Sequence, residues 1–184
     1  MLIAFNKPYG VLSQFNSNPG DIGQRTLKEF DFPPKVLPLG RLDMDSEGLL
    51  LFTNEKALEN KLLHPRFQHR RRYLTLVEGV PDEAAMSELR SGKLVIKGHR
   101  CLPCRAKILK QAPDIPDRDP PVRVRKQIID TWLRLELREG KNRQVRRMTA
   151  AVGHSTLRLV RVRVGTIVLD GMAVGEVRKI NIDI

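Results

Sequence analysis

The sequence has only two cysteines, Cys101 and Cys104. No disulfide framework can therefore brace the chain, and both are expected as reduced thiols in a cytoplasmic protein. No apolar run approaches the length that spans a bilayer. The N-terminal "MLIAFNKPYGVLSQF" has no basic start, and Asn6, Lys7 and Pro8 interrupt its apolar residues, so it does not read as a secretory leader. There is no phosphate-cradling glycine loop, no dinucleotide fingerprint and no glycine-rich site for a methyl donor. Four histidines are scattered without ligand spacing. "CLPC" with His99 nearby is at most half of a zinc site, because a structural site takes four ligands. No cofactor and no metal are expected. Carboxylates are scarce as well: 21 Asp and Glu stand against 33 Lys and Arg, a formal net charge of +12.

What remains is a globular composition, 41% hydrophobic and 29% charged, able to pack a core. A length of 184 residues suits one domain, divided into two half-domains. The basic surface is a statement about partners: it attracts nucleic acid or an anionic surface. With no membrane segment, nucleic acid is the expected partner.

Local patterns place the elements. "LIAF" reads as a strand ended by the turn "NKPYG", and "SNPGDIG" as a second turn. "RTLKEF" is a short helix, and the apolar "GLLLFT" a buried strand. Asn54 is expected to cap a helix over "EKALENKLLH", with Leu58, Leu62 and Leu63 on one face and Pro65 as its stop. "RYLTLVEG" alternates as a strand. "PDEAAMSELRSG" is a helix closed by Gly92, and "KLVIKGHRCLPCRAKIL" two strands around a turn, a hairpin in which the cysteines lie. From Gln111 to Lys126 four prolines predict a loop, of a length that is usually functional or mobile. "TWLRLELREG" puts Leu133, Leu135 and Leu137 on one strand face. "NRQVRRMTAAVG" is a helix with Val145, Met148 and Val152 inward and Gly153 as its stop. "TLRLVRVRVGTIVL" is a strand or strand pair. Several strands are joined by turns too short for crossovers. The fold class is therefore α+β: a mixed, largely antiparallel central sheet with flanking helices.

"PLGRLDMDSEGLLLFTNE" gathers Asp43, Asp45 and Glu47 within five residues of a strongly basic chain. Three readings meet there. With Gly48, these residues occupy positions 1, 3, 5 and 6 of an EF-hand loop. Position 12 is then Asn54 where a bidentate Glu is needed, and "PPKVLPLG" supplies no entering helix. A plain turn is the second reading, with Gly48 available for positive φ. The third is a catalytic carboxylate, kept ionised by nearby cations and held against a buried strand, with Arg41 two residues before Asp43.

"GRLDMDSEGLLLFTNE" resembles the signature of the pseudouridine synthases, in the family of ribosomal small-subunit pseudouridine synthase A and its large-subunit relatives. "FNKPYGVLSQF", "RRYLTLVEG" and "EGKNRQVRRMTAAVGHSTLRLVRVRVG" are similar to three further motifs of that family, so the likeness runs from about Asn6 to about Lys179. It implies an isomerisation of uridine in RNA that needs no cofactor, with the target base flipped from its stack. It implies Asp43 as the catalytic residue, Tyr73 in the active site, and Arg146 as the partner of the catalytic aspartate. Arg72 stands where the family usually has Lys. It further implies a single catalytic domain over 1–184, two half-domains forming an RNA cleft, and no separate N-terminal RNA-binding domain. Ribosomal RNA of the large subunit, free or in an assembling particle, is the implied substrate of a monomer. Arg41, Arg70, Arg71, Arg72, Lys141, Asn142, Arg143 and Arg147 are candidate RNA contacts. Arg66 extends the first basic run. Arg118, Arg123, Arg125 and Lys126 make the proline loop either an RNA-ordered arm or a connector.

Overall fold

The computed structural model describes residues 1–17, 20, 23–63, 69–123 and 128–181. The expected helix stop at Pro65, the cations Arg66, Arg125 and Lys126, His64 and part of the second turn lie outside the described residues, as does the Leu63 side chain. The chain is α+β, with a largely antiparallel sheet and, among the described residues, three α-helices. It divides into two compact units, Met1–His69 with Arg161–Ile184, and Arg70–Val160.

The first unit is built on β1 (Leu2–Lys7), β2 (Leu37–Pro38) and β3 (Glu47–Thr53), followed by α1 (Lys56–Leu63). β1 runs antiparallel to β3, from Leu2 opposite Thr53 to Lys7 opposite Gly48. Every residue of both strands is buried. Strand alternation sorts them onto two faces. Leu2, Ala4, Leu49 and Leu51 pack with Leu58 of α1. Ile3, Phe5, Leu50 and Phe52 pack with Val11, Leu27, Val36 and Leu42, bordered by Phe15, Phe30 and Phe32. The rings meet mostly edge to face, Phe5 lying 4.8 Å from Phe30 and 5.0 Å from Phe32. The short helix expected at "RTLKEF" is a single 3-10 turn, Leu27–Glu29, in which Thr26 and Glu29 form a capping box.

The second unit holds β4 (Arg71–Glu78), α2 (Glu83–Arg90), β5 (Val95–Ile96), β6 (His99–Arg100), β7 (Arg105–Ile108), β8 (Asp130–Leu137) and α3 (Gln144–Ala151). The unit boundary falls within β9 (Thr156–Val164), whose last residues belong to the first unit with β10 (Ile167–Val168) and β11 (Val177–Ile180). β8 pairs antiparallel with β4 and with β7, placing Leu135 opposite both Tyr73 and Ala106. Leu133, Leu135 and Leu137 face one core with Tyr73 and Val77, Met86 and Leu89 of α2, and Val145 and Met148 of α3. Asp82 caps α2, its carboxylate accepting the Ala85 N–H at 2.8 Å.

Four expectations need correction. The first intrahelical bond of α1 is accepted by the Glu55 carbonyl, so Glu55, not Asn54, flanks that helix. α3 starts at Gln144, because Arg143 turns left-handed (φ +52°, ψ +32°), which leaves Asn142 and Arg143 outside it. "KLVIKGHRCLPCRAKIL" forms three short strands. The hairpin is β5–β6, whose two turn residues Lys97 and Gly98 both take positive φ. The cysteines lie in the connector from β6 to β7, outside that turn. β2 and β11 had no strand signal; each is defined by a neighbouring strand.

Phe52 is fully buried between aromatic rings, so Phe52→Ala should destabilise the protein by about 3–5 kcal/mol. The check is denaturant unfolding; a loss within about 0.5 kcal/mol, the range of surface sites, would contradict this packing.

Candidate active site

Asp43 belongs to the first unit, in the loop that leads from β2 into β3. Its two neighbours are both held through their own backbone groups. The Ser13 hydroxyl donates to the Leu42 carbonyl at 2.6 Å and accepts the Leu42 N–H at 3.0 Å. The Met44 carbonyl accepts the Gly10 N–H at 2.8 Å. The Asp43 carbonyl accepts the Ser46 N–H at 3.0 Å, closing the turn. Gly48 then enters β3 at φ +98°, a conformation that a side chain would resist. Asp43 is half-buried and Met44 exposed. The loop therefore presents the carboxylate from a rigid backbone at the edge of a core.

Beneath it lies Lys7, the last residue of β1, fully buried. Its Nζ donates to the carbonyls of Val11 at 2.7 Å, Pro8 at 2.9 Å and Met44 at 3.4 Å. Burial pushes its pKa down to about 7, although Glu47, Asp45 and Asp43 all act to keep it charged, and Arg161 opposes them. Arg161 is itself buried and donates from Nε to the Leu49 carbonyl at 2.8 Å. The acidic cluster thus has a structural task, supplying negative charge to the buried Lys7. Among the described residues no three His, Cys, Asp or Glu side chains are arranged to hold a metal ion, so the calcium-loop reading has no support from geometry.

Tyr73 and Arg146 belong to the second unit. Tyr73 stands on β4 with its ring in the core, across from Leu135. Arg146 is half-buried on α3 and donates from Nη1 to the Thr156 carbonyl at 3.2 Å. Thr149 ties the same helix to β9, its hydroxyl 2.8 Å from that of Thr156. These bonds hold Arg146 by its helix and by the first residue of β9.

The candidate RNA contacts divide by environment. Arg70 and Arg72 both engage Glu136, at 3.1 Å and 2.9 Å, with Arg105 at 3.7 Å. Burial would raise the Glu136 pKa, but the bonds and charges of Arg72 and Arg70 prevail and hold it below the usual carboxylate range. Arg71 is half-buried beside Gly140. Arg147 donates to the Asn142 carbonyl oxygen of its side chain at 2.6 Å. Arg41, Lys141, Asn142 and Arg143 are exposed. The proline loop is tied down within the second unit, the Pro116 carbonyl accepting from Arg158 at 2.7 Å. Burial pushes the Cys104 thiol up to about 11 and raises Cys101 as well, so neither is a ready thiolate.

Sequence patterns pointed to Asp43 but missed its supports. Lys7 and Ser13 carry a faint signal, a cation and a hydroxyl inside an otherwise apolar stretch. In the second unit, Glu136, which engages Arg70 and Arg72 and alternates with buried leucines on β8, carries none.

Residues 1–151 match the family model described as RNA pseudouridylate synthase. A Xanthomonas axonopodis protein named Ribosomal large subunit pseudouridine synthase E is 51% identical over 173 residues, covering 94% of this chain and 90% of that one. A Vibrio vulnificus protein of the same name is 44% identical over 181 residues, covering 98% and 75%. A crystal structure of a pseudouridylate synthase matches with a TM-score of 0.75 at 25% identity, over 98% of this chain and 70% of that one.

Lys7→Met should cost about 2 kcal/mol or more, by leaving buried carbonyls without a donor. The pH dependence has a definite sign. The folded-state pKa of Lys7 lies below the unfolded one, so between about 7 and 10.5 the unfolded chain holds more proton there. Stability from this group rises with pH across that window and is flat below it. Wild type and Lys7→Met, unfolded in parallel, should show a free-energy difference that grows by at most about 1.4 kcal/mol per pH unit. A difference that shrinks with pH would reverse the assignment.

Proposed function

The chain belongs to the RNA pseudouridylate synthase family and is an RNA pseudouridine synthase; on that premise we propose that it isomerises one uridine of large-subunit ribosomal RNA, with Asp43 as the catalytic anion. Two relatives named for the large subunit, each aligned over more than nine-tenths of this chain, support the substrate class. The observation that carries the assignment of the chemistry is the backbone clamp on Leu42 and Met44, which holds one carboxylate in a fixed place. Such positioning is what a reaction without a cofactor must draw on.

The reaction breaks the N1–C1′ bond of the uridine and joins C5 to C1′; C5 loses its proton and N1 gains one, so nothing is oxidised and no group leaves. The target base is first flipped from its stack, which costs a few kcal/mol. Contacts from Lys and Arg to phosphates offset that cost. Attack on the ribose, attack on the base and removal of a ribose proton all need an ionised Asp43. By the family likeness, Arg146 is the proposed partner that orients the Asp43 carboxylate. Tyr73 supplies a ring edge for the base and a hydroxyl for proton transfer. Arg41, Lys141, Asn142 and Arg143, being exposed, are the readier phosphate contacts; Arg70 and Arg72 are shared with Glu136. The enzyme works as a monomer in the cytoplasm, on free RNA or an assembling particle.

With a net charge of +12, RNA affinity should fall steeply with salt. If about six phosphates are engaged, log K against log salt has a slope of about −5. A flat plot would sink the RNA-cleft reading.

Asp43→Asn should abolish pseudouridine formation in rRNA while RNA binding stays or tightens, since a negative charge leaves a basic surface. Asp45→Asn should cost stability and some rate, because Asp45 helps to balance Lys7. Arg146→Met should lower the rate strongly, and the double variant with Asp43→Asn should be no slower than Asp43→Asn alone. Chemical detection of pseudouridine, with filter binding in parallel, reads all four. Full activity in Asp43→Asn, or equal losses in the two Asp variants with folding intact, would remove Asp43 from its role. A chain that binds rRNA and never forms pseudouridine would instead be a binding protein.

A further inference from the structure

The turn from Glu139 to Gln144 is wound around a buried side chain. The Gln144 side-chain oxygen accepts the Lys141 N–H at 3.0 Å, and its amide nitrogen donates to Glu139 Oε1 at 2.6 Å. Its own N–H donates to the Lys141 carbonyl at 3.1 Å. Glu139 Oε1 also accepts the Leu102 N–H at 2.8 Å, and Oε2 lies 2.8 Å from His99 Nε2. Gln144 is 4% exposed and the Glu139 side chain 11%. Burial favours the neutral acid, yet the donors from Leu102, Gln144 and His99 prevail and hold Glu139 below the usual carboxylate range.

What this hub supports is unusual. Arg143, exposed, sits at φ +52° with no side-chain cap on α3, a conformation that residues other than glycine and asparagine rarely adopt. An exposed turn serving only to connect β8 with α3 could place Gly or Asn there at lower cost. Here an Arg is kept left-handed, with Lys141 and Asn142 exposed beside it, next to a largely buried carboxylate that fixes the turn.

We propose that Glu139 and Gln144 are positioning residues for RNA: their hydrogen bond pre-forms the Lys141–Arg143 turn so that its cations meet the RNA backbone without first being ordered. This rests on the reading of that turn as an RNA contact. Pre-ordering lowers the entropic cost of binding, so the effect falls on affinity and KM and leaves the saturating rate unchanged.

The test uses the full chain and a large-subunit rRNA transcript, with filter binding, single-turnover rates at saturating protein and thermal unfolding. Glu139→Ala and Gln144→Glu should each weaken RNA binding about tenfold. Gln144→Glu keeps the acceptor for Lys141 but sets a second carboxylate against Glu139. Glu139→Gln keeps an acceptor for both Leu102 and Gln144 and should bind as wild type does. In a Lys141→Ala, Arg143→Ala background, adding Glu139→Ala should cost no further affinity. The proposal is overturned if folded Glu139→Ala binds RNA like wild type, or if it costs as much affinity in the turn-neutralised background as alone. Should Glu139→Ala fail to fold, Gln144→Glu decides, and wild-type affinity in it overturns the proposal. Absence of pseudouridine with wild type would count against the proposed reaction, whereas the binding comparison tests the turn by itself.

Discussion

A buried ammonium organises the first unit. Lys7 ends a strand whose every residue is buried, and a cation there must be given hydrogen-bond acceptors and opposite charge. The Pro8 and Val11 carbonyls come from the turn after β1, and the Met44 carbonyl from the loop before β3. One nitrogen thus draws two loops to a point. Asp43, Asp45 and Glu47 supply the opposing charge, with Arg161 adding to the demand. A dense acidic cluster in a basic chain follows from this local balance. Asp43 takes part in it with Asp45 and Glu47, and is also proposed as the reacting group.

The second unit repeats the theme with the signs reversed. Glu136 and Glu139 are carboxylates close to full burial, each satisfied by several donors. Glu136 gathers Arg70 and Arg72, so part of a run that reads as a basic patch is engaged within the fold. The net charge of +12 is therefore not all offered to RNA. The cations on exposed turns differ in kind from those set around buried carboxylates, since a phosphate must displace Glu136 to capture Arg72 fully.

Most strands and helices were legible because their signals are local. Alternating leucines in β8, the apolar run of β3 and the Asp-capped α2 each carry their own evidence within about ten residues. The errors fell where a neighbour decides. Helix α3 begins late because Gln144 turns back on Lys141, and β2 and β11 are strands only through the strands beside them. The "CLPC" stretch follows a hairpin whose turn residues are Lys97 and Gly98, a tight turn that closes before the cysteines are reached.

Sequence alone determined the α+β class, the basic character and the segment that carries Asp43, because strand periodicity, charge and a contiguous motif are properties of neighbours in the chain. Tertiary structure decided what holds that segment. Ser13 reaches Leu42 across 29 positions, Lys7 reaches Met44 across 37, and Arg161 reaches Leu49 across 112. Which buried cation meets which carbonyl depends on strand register and loop closure. Those are set by packing the whole unit, and no window of residues contains them.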